Sequence, residues 1–168
     1  LPEFAEAEKN VNAEIDRLMN IGGKRSVDSI HKELGHIMWE HVGMGRTKEG
    51  LEEGLKMLKA LRQEFNTNLF VPGTKEGLNV ELDKAIHLRD FIIMGELIAY
   101  DALHREESCG GHFREEHQTE EGEAKRDDEH FFYVGAWEYQ NNDETAPVLN
   151  KEPLEYEIIK VQTRNYKN

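Results

Sequence analysis

Cysteine is nearly absent from this chain. Cys109 is the single one in 168 residues, which excludes an internal disulfide framework and fits a reducing compartment. Basic charge is scarce as well: 34 acidic side chains stand against 21 basic ones, a formal net charge of -13. A chain this acidic repels phosphate backbones, and its densest basic spots, Lys24-Arg25 and Lys125-Arg126, are isolated pairs. Nucleic acid is therefore excluded as a partner, and anionic lipid is disfavoured by the same argument. No apolar run approaches the roughly 20 residues that span a bilayer, and nothing resembles a signal peptide. A glycine-rich dinucleotide fingerprint and a phosphate loop are both missing. The chain opens Leu1-Pro2-Glu3 rather than on methionine, so we expect it to be processed or part of something longer.

What is present is enough for one domain with a sizeable core. Phe4, Ala7, Val11, Ile15, Leu18 and Met19 recur at spacings of three and four, predicting a first helix that ends before Gly22-Gly23. Ser26 is the expected N-cap of a second helix, with Val27, Ile30, Leu34, Ile37, Met38 and Val42 facing inward. Thr47 is the expected cap of a third, with Leu51, Leu55, Leu58, Leu61 and Phe65 on one face, and Val71-Pro72-Gly73 closes that region. Asn79 opens a fourth helix from Val80 to about Glu106. Between Phe91 and Leu103 it is apolar almost all round, which predicts a central helix covered by its neighbours. Gly95 inside it predicts the close approach of another backbone.

After His112 the character changes. Glu115 to Glu129 reads as an acidic, irregular arm. Phe131–Tyr139 reads as one strand and Leu154–Val161 as a second, with a polar Gln140–Thr145 turn and Pro147 between them. The expected fold is mainly α: an antiparallel bundle of three to four helices over residues 1–107. Residues 108–168 form a motif loop, acidic arm and short β-hairpin packed on it as one structural domain. An isolated pair of strands is marginal in water, so the hairpin must lean on another surface.

The segment Arg105-Glu106-Glu107-Ser108-Cys109-Gly110-Gly111-His112-Phe113-Arg114 is the most informative part of the chain. A charged run that only solvated a surface would not need paired glycines, which allow a sharp turn and close approach by another surface. Arg105, Glu107, Ser108, Gly110, Gly111, His112 and Arg114 are therefore the candidate interface residues. Metal chemistry is the rival reading. His31, His36 and His41 are five apart and point to different sides of a helix, so they cannot share an ion. Cys109, His112 and His117, with Glu116 nearby, come closer to ligand spacing but lack a second half. Cys109 as a nucleophile is opposed by its place at a helix C-terminus, where the dipole raises a thiol pKa. Trp39 and Trp137 read as core or interface aromatics. We assign no catalytic, cofactor-binding or metal residue to this chain.

The same segment resembles the C-terminal region of the succinate dehydrogenase/fumarate reductase flavoprotein subunits, which carry Arg-x-Glu-Ser-Arg-Gly-Ala-His-x-Arg-x-Asp-x-Pro after the last long helix of a bundle. Arg105, Glu107, Ser108, Gly110, His112 and Arg114 match it, whereas Cys109, Gly111, Glu116 and Gln118 stand where the family has Arg, Ala, Asp and Pro. Gly45-Arg46-Thr47-Lys48-Glu49-Gly50-Leu51 resembles the family's turn into its second bundle helix. Arg126-Asp127-Asp128-Glu129 resembles the segment after the motif, and Arg164-Asn165-Tyr166-Lys167 resembles the family's Arg-x-Tyr ending.

This resemblance implies a C-terminal helical domain that supports an FAD-carrying N-terminal domain and is inactive alone. The intact subunit would interconvert succinate and fumarate by hydride transfer with FAD and pass electrons to an iron–sulfur subunit. A membrane anchor would be an indirect partner, which places the assembly peripherally on the cytoplasmic face of a bacterial plasma membrane. L-aspartate oxidase and adenylylsulfate reductase are relatives to weigh, and a free-standing acidic helical adaptor is the alternative from another class.

Overall fold

Three of the four long helices start at a side chain that takes up backbone N–H groups the first turn leaves orphaned. In the computed structural model, which describes residues 1–140, 145–159 and 161–162, α1 runs Pro2–Asn20. After β1 (Arg25–Ser26), Ser26 accepts from the Ser29 N–H and opens α2 (Val27–Val42). After β2 (Gly45–Arg46), Thr47 accepts from the Gly50 N–H and opens α3 (Lys48–Asn68). Following β3 (Leu69–Phe70), Asn79 Oδ1 accepts from the N–H groups of Glu81 and Leu82, both at 3.1 Å, and opens α4 (Val80–His104). Then come β4 (Phe113–Arg114), the one-turn α5 (Asp128–Phe131), β5 (Tyr133–Glu138) and β6 (Val148–Pro153). The chain divides into two compact units, Leu1–His104 and Arg105–Asn168.

In the first unit α2, α3 and α4 pack on one another, and α1 lies against α4. Lys84 early in α4 pairs with Asp28 early in α2, and Met38 late in α2 reaches Gly95. Those two helices therefore run the same way, with α3 returning between them. β1 and β3 pair in parallel, Arg25 opposite Leu69, and tie the start of α2 to the end of α3. The core is built from the expected stripes: Val27, Ile30, Leu34 and Ile37 of α2, Leu51, Leu58, Leu61 and Phe65 of α3, and Leu82, Leu88 and Ile92 of α4.

Three expectations for this unit need correction. Only Ile15, Leu18 and Met19 of the α1 stripe reach the core, while Phe4, Ala7 and Val11 are exposed, because the first half of α1 extends past its neighbours. α4 is central but not covered all round, since Phe91, Ile93, Met94 and Ile98 each keep 42–51% of their surface exposed. At Gly95 the close approach comes from side chains, not backbone: an added Cβ would sit 3.1 Å from Met38 Sδ and 3.5 Å from Leu34 Cδ1. Trp39 is 80% exposed and takes no part in the core.

In the second unit β5 and β6 form an antiparallel hairpin with Tyr133 opposite Pro153 and Glu138 opposite Val148. The sequence places the second strand at Leu154–Val161, whereas the structure places it at Val148–Pro153. Ile158 and Ile159 there are 92% and 72% exposed, and residue 160 lies outside the described residues. Two physical reasons favour the earlier segment. A shorter connection closes at lower entropic cost, and β-branched content such as Ile158-Ile159 is only a weak preference without a surface to pack on. Pro153, which lacks an N–H, ends the strand. Residues 141–144 of the expected turn and the Arg164-Asn165-Tyr166-Lys167 ending lie outside the described residues.

Glu14 links α1 to α4. Its carboxylate accepts from Arg17 at 2.7 and 2.8 Å and from Arg89 at 3.2 Å, and the Arg17 hydrogen bond holds its pKa below the usual carboxylate value. A depressed folded pKa stabilises the fold above the unfolded value of about 4.3. That contribution is lost as pH falls through the folded pKa. The stability advantage of the parent over Glu14→Gln, followed by urea unfolding, should therefore be full at neutral pH and vanish in acid. Separately, Leu58→Ala, at a fully buried site, should lower unfolding free energy by about 2–5 kcal/mol in the same assay.

Candidate functional site

The expected interface residues are brought together inside the second unit, and most of them are committed to one another. Glu107 is only 3% exposed. Its Oε1 accepts from Arg105 Nη1 at 2.8 Å and its Oε2 from the Asp127 N–H at 2.9 Å, so both carboxylate oxygens are satisfied. Burying the charge is tolerable for that reason. Arg105 goes on to donate to the carbonyls of Phe131 (3.0 Å) and Tyr133 (3.2 Å). Its guanidinium also lies 5.7 and 5.0 Å from the centres of the Phe131 and Tyr133 rings, within cation–π range.

Ser108 is fully buried; its Oγ accepts from the Arg114 N–H at 2.8 Å and donates to the Arg114 carbonyl at 3.0 Å. Between them Cys109 and His112 exchange backbone hydrogen bonds of 2.8 and 3.0 Å around a two-residue turn, Gly110-Gly111. Gly110 sits at φ +59°, the left-handed region where a side chain is strained. His112 Nε2 donates to the Arg105 carbonyl at 2.8 Å, which fixes where its ring points. Arg114, 1% exposed, directs Nε to Glu116 at 3.2 Å. The Ser108 N–H reaches the Lys125 carbonyl at 2.9 Å, stitching the motif to the acidic arm. That arm is irregular apart from a bridge between Gln118 and Ala124 and the short α5.

Glu107, Ser108 and Arg114 thus form a buried base, and Cys109, Gly110 and Gly111 are its exposed tip. Chain neighbours aside, none of the described residues lies within 4 Å of where a Cβ on Gly110 or Gly111 would stand. Sequence reasoning missed the other half of the base, the Asp127 N–H and the carbonyls of Phe131 and Tyr133. Backbone acceptors leave no residue-type signal, although the Arg126–Glu129 segment marked the region.

An open cleft of about 600 Å³ adjoins the cluster, with Phe131, Phe132, Tyr133 and Tyr156 among its walls. Arg105 and Arg126 line it too, each paired with a carboxylate, Glu107 and Asp128. With both guanidinia already neutralised, the cleft does not fit a dinucleotide pyrophosphate. No chemical step is assigned to this chain. No three His, Cys, Asp or Glu side chains among the described residues come together to hold a metal ion. The His112 ring is turned to a backbone carbonyl, and Cys109 is exposed. The arrangement is a hydrogen-bonded platform presenting an exposed turn.

Comparison with known proteins agrees with the mainly helical fold. The family model described as fumarate reductase flavoprotein C-term matches residues 31–166. The fumarate reductase flavoprotein subunit of Proteus vulgaris is 29% identical over 153 residues, covering 91% of this chain and 24% of that one. A chloroplastic L-aspartate oxidase of Nicotiana tabacum is 35% identical over 92 residues, 53% of this chain and 14% of its own length. A solved quinol-fumarate reductase with menaquinol molecules superposes with a TM-score of 0.75 at 25% identity, over 91% of this chain and 25% of that chain. The chain belongs to the C-terminal domain family of the fumarate reductase/succinate dehydrogenase flavoproteins. It spans about a quarter or less of the length of the relatives it matches.

Because Ser108 Oγ answers the backbone of buried Arg114, Ser108→Ala leaves an N–H without its partner. We expect a loss of about 1–3 kcal/mol in stability. Faster proteolysis within residues 105–126 should accompany it, read by mass spectrometry of a timed digest.

Proposed function

We propose that this chain is the supporting domain of a flavoprotein subunit that interconverts succinate and fumarate through FAD held in its preceding part. Electrons pass onward to an iron–sulfur subunit, with a membrane-anchor subunit as an indirect partner. No helix among the described residues is long and apolar enough to cross a membrane. A peripheral place on the cytoplasmic face of the plasma membrane is part of this proposal.

The observation that carries the reading is the bare double-glycine turn on a fully bonded base. Arg105, Glu107, Ser108, His112 and Arg114 spend their polar groups holding the turn in shape, so the ordering entropy is met before any partner arrives. Gly110 and Gly111 then let the flavin-carrying domain approach to backbone distance. Cys109, where the family has arginine, adds a small side chain to the same tip.

The match to L-aspartate oxidase favours a second reading, in which the substrate is an amino acid. Substrate tests on the full-length polypeptide separate the two. We expect bound FAD and fumarate-dependent oxidation of a reduced viologen. Turnover of L-aspartate without fumarate reduction from viologen would establish the second reading, and a flavin-free polypeptide would return the chain to the adaptor class. In that full-length protein, Gly111→Leu should weaken flavin retention by about tenfold, equivalent to about 1.4 kcal/mol of docking. Circular dichroism should show its helical content unchanged.

A further inference from the structure

The three-helix part of the bundle closes on itself immediately after α1. Gly23 donates its N–H to the Leu69 carbonyl and Lys24 to the Asn68 carbonyl, both at 2.9 Å, and β1 pairs with β3 just beyond. A Cβ on Gly23 would fall 2.0 Å from the Asn68 carbonyl carbon, so the chain here lies directly on the end of α3. Gly22, one residue earlier, is differently placed. Its φ is +64°, in the left-handed region that glycine reaches without strain. Chain neighbours aside, the nearest atom to a Cβ there is the Asn20 carbonyl oxygen, at 3.8 Å. A glycine with room to turn thus precedes one that is clamped.

α1 is joined to the bundle through polar groups as much as through its apolar side chains. Leu18 is its buried residue, with Ile15 and Met19 partly buried beside it. The Glu14 carboxylate takes hydrogen bonds from two guanidinia, that of Arg17 in α1 and that of Arg89 in α4. Arg17 continues to the Asn66 side chain near the end of α3, at 3.2 Å, and Asp16 pairs with Lys75 in the loop before α4. Arg89 also keeps Asp90 at 2.8 Å, but Glu14 is the carboxylate that both arginines share. One negative charge therefore holds two positive ones together, and without it they repel.

We propose that α1 is a hinged arm: it turns about Gly22, Glu14 latches it, and it opens and closes while α2, α3 and α4 stay packed. Such a local opening has a lower free energy than unfolding of the whole domain. It lets α1 shift without breaking the core, and the charge of Glu14 sets how long the arm stays seated. The arm belongs to the first unit alone and is independent of the function proposed above.

Amide hydrogen exchange of the full-length polypeptide, resolved by peptide mass spectrometry, tests this. Residues 14–20 should exchange about tenfold or more faster than the segments around Ile30, Leu58 and Ile92. Protection of α1 equal to that of α2–α4, through cover by another part of the polypeptide, overturns the proposal. A change distant from α1 separates local opening from global unfolding. Ile37→Val, at a 1% exposed site late in α2, should speed exchange around Ile30, Leu58 and Ile92 about fivefold and leave residues 14–20 unchanged. Equal acceleration in all four helices means that α1 opens only when the bundle does, and refutes the hinge. Glu14→Gln should speed exchange over residues 14–20 about tenfold. An unchanged rate there refutes the latch.

Discussion

The Glu107 carboxylate is the constraint on which the second unit turns. An ionised carboxylate removed from water costs several kcal/mol unless its oxygens are answered. Here Arg105 answers one and the Asp127 N–H the other. Arg105 then ties down Phe131 and Tyr133 through their carbonyls and rings, and so fixes where β5 begins. The buried hydrophobic side chains among the described residues all fall within Leu1–His104. The segment after it is therefore held by directional polar bonds rather than by an oily core. That exchange suits a segment that must present one fixed shape. An apolar core tolerates small shifts in packing, whereas a network with every member bonded specifies one geometry for the turn it carries.

Which parts of this architecture the sequence disclosed follows from how local each signal is. Ser26, Thr47 and Asn79 were legible as helix starts because a cap acts within three residues of itself. The stripes of α2 and α3 were legible because a helix buried on one side must repeat at three and four. The motif was legible as a unit because its glycines and charges sit together. The partners that hold it are twenty and more residues away and mostly backbone, so nothing in their residue types announced them.

The failures share a cause: burial depends on what lies alongside, and that is not local. The α1 stripe continues to Phe4 although the bundle ends near Ile15, so its periodicity outruns its packing. Ile158 and Ile159 carry β-branched side chains but no surface to pair with, and the hairpin closes on Val148–Pro153 instead. In both cases the pattern described the residues correctly and misjudged their surroundings.

α4 is the instructive instance. A helix apolar on every side is stable only if every side is covered. The bundle covers the stripe through Ile92 and Ala99 and leaves that through Met94 and Ile98 half exposed. Hydropathy alone could not separate a helix buried by its own domain from one buried jointly by that domain and a neighbour, because the two sequences are the same. The burial of one stripe separates them.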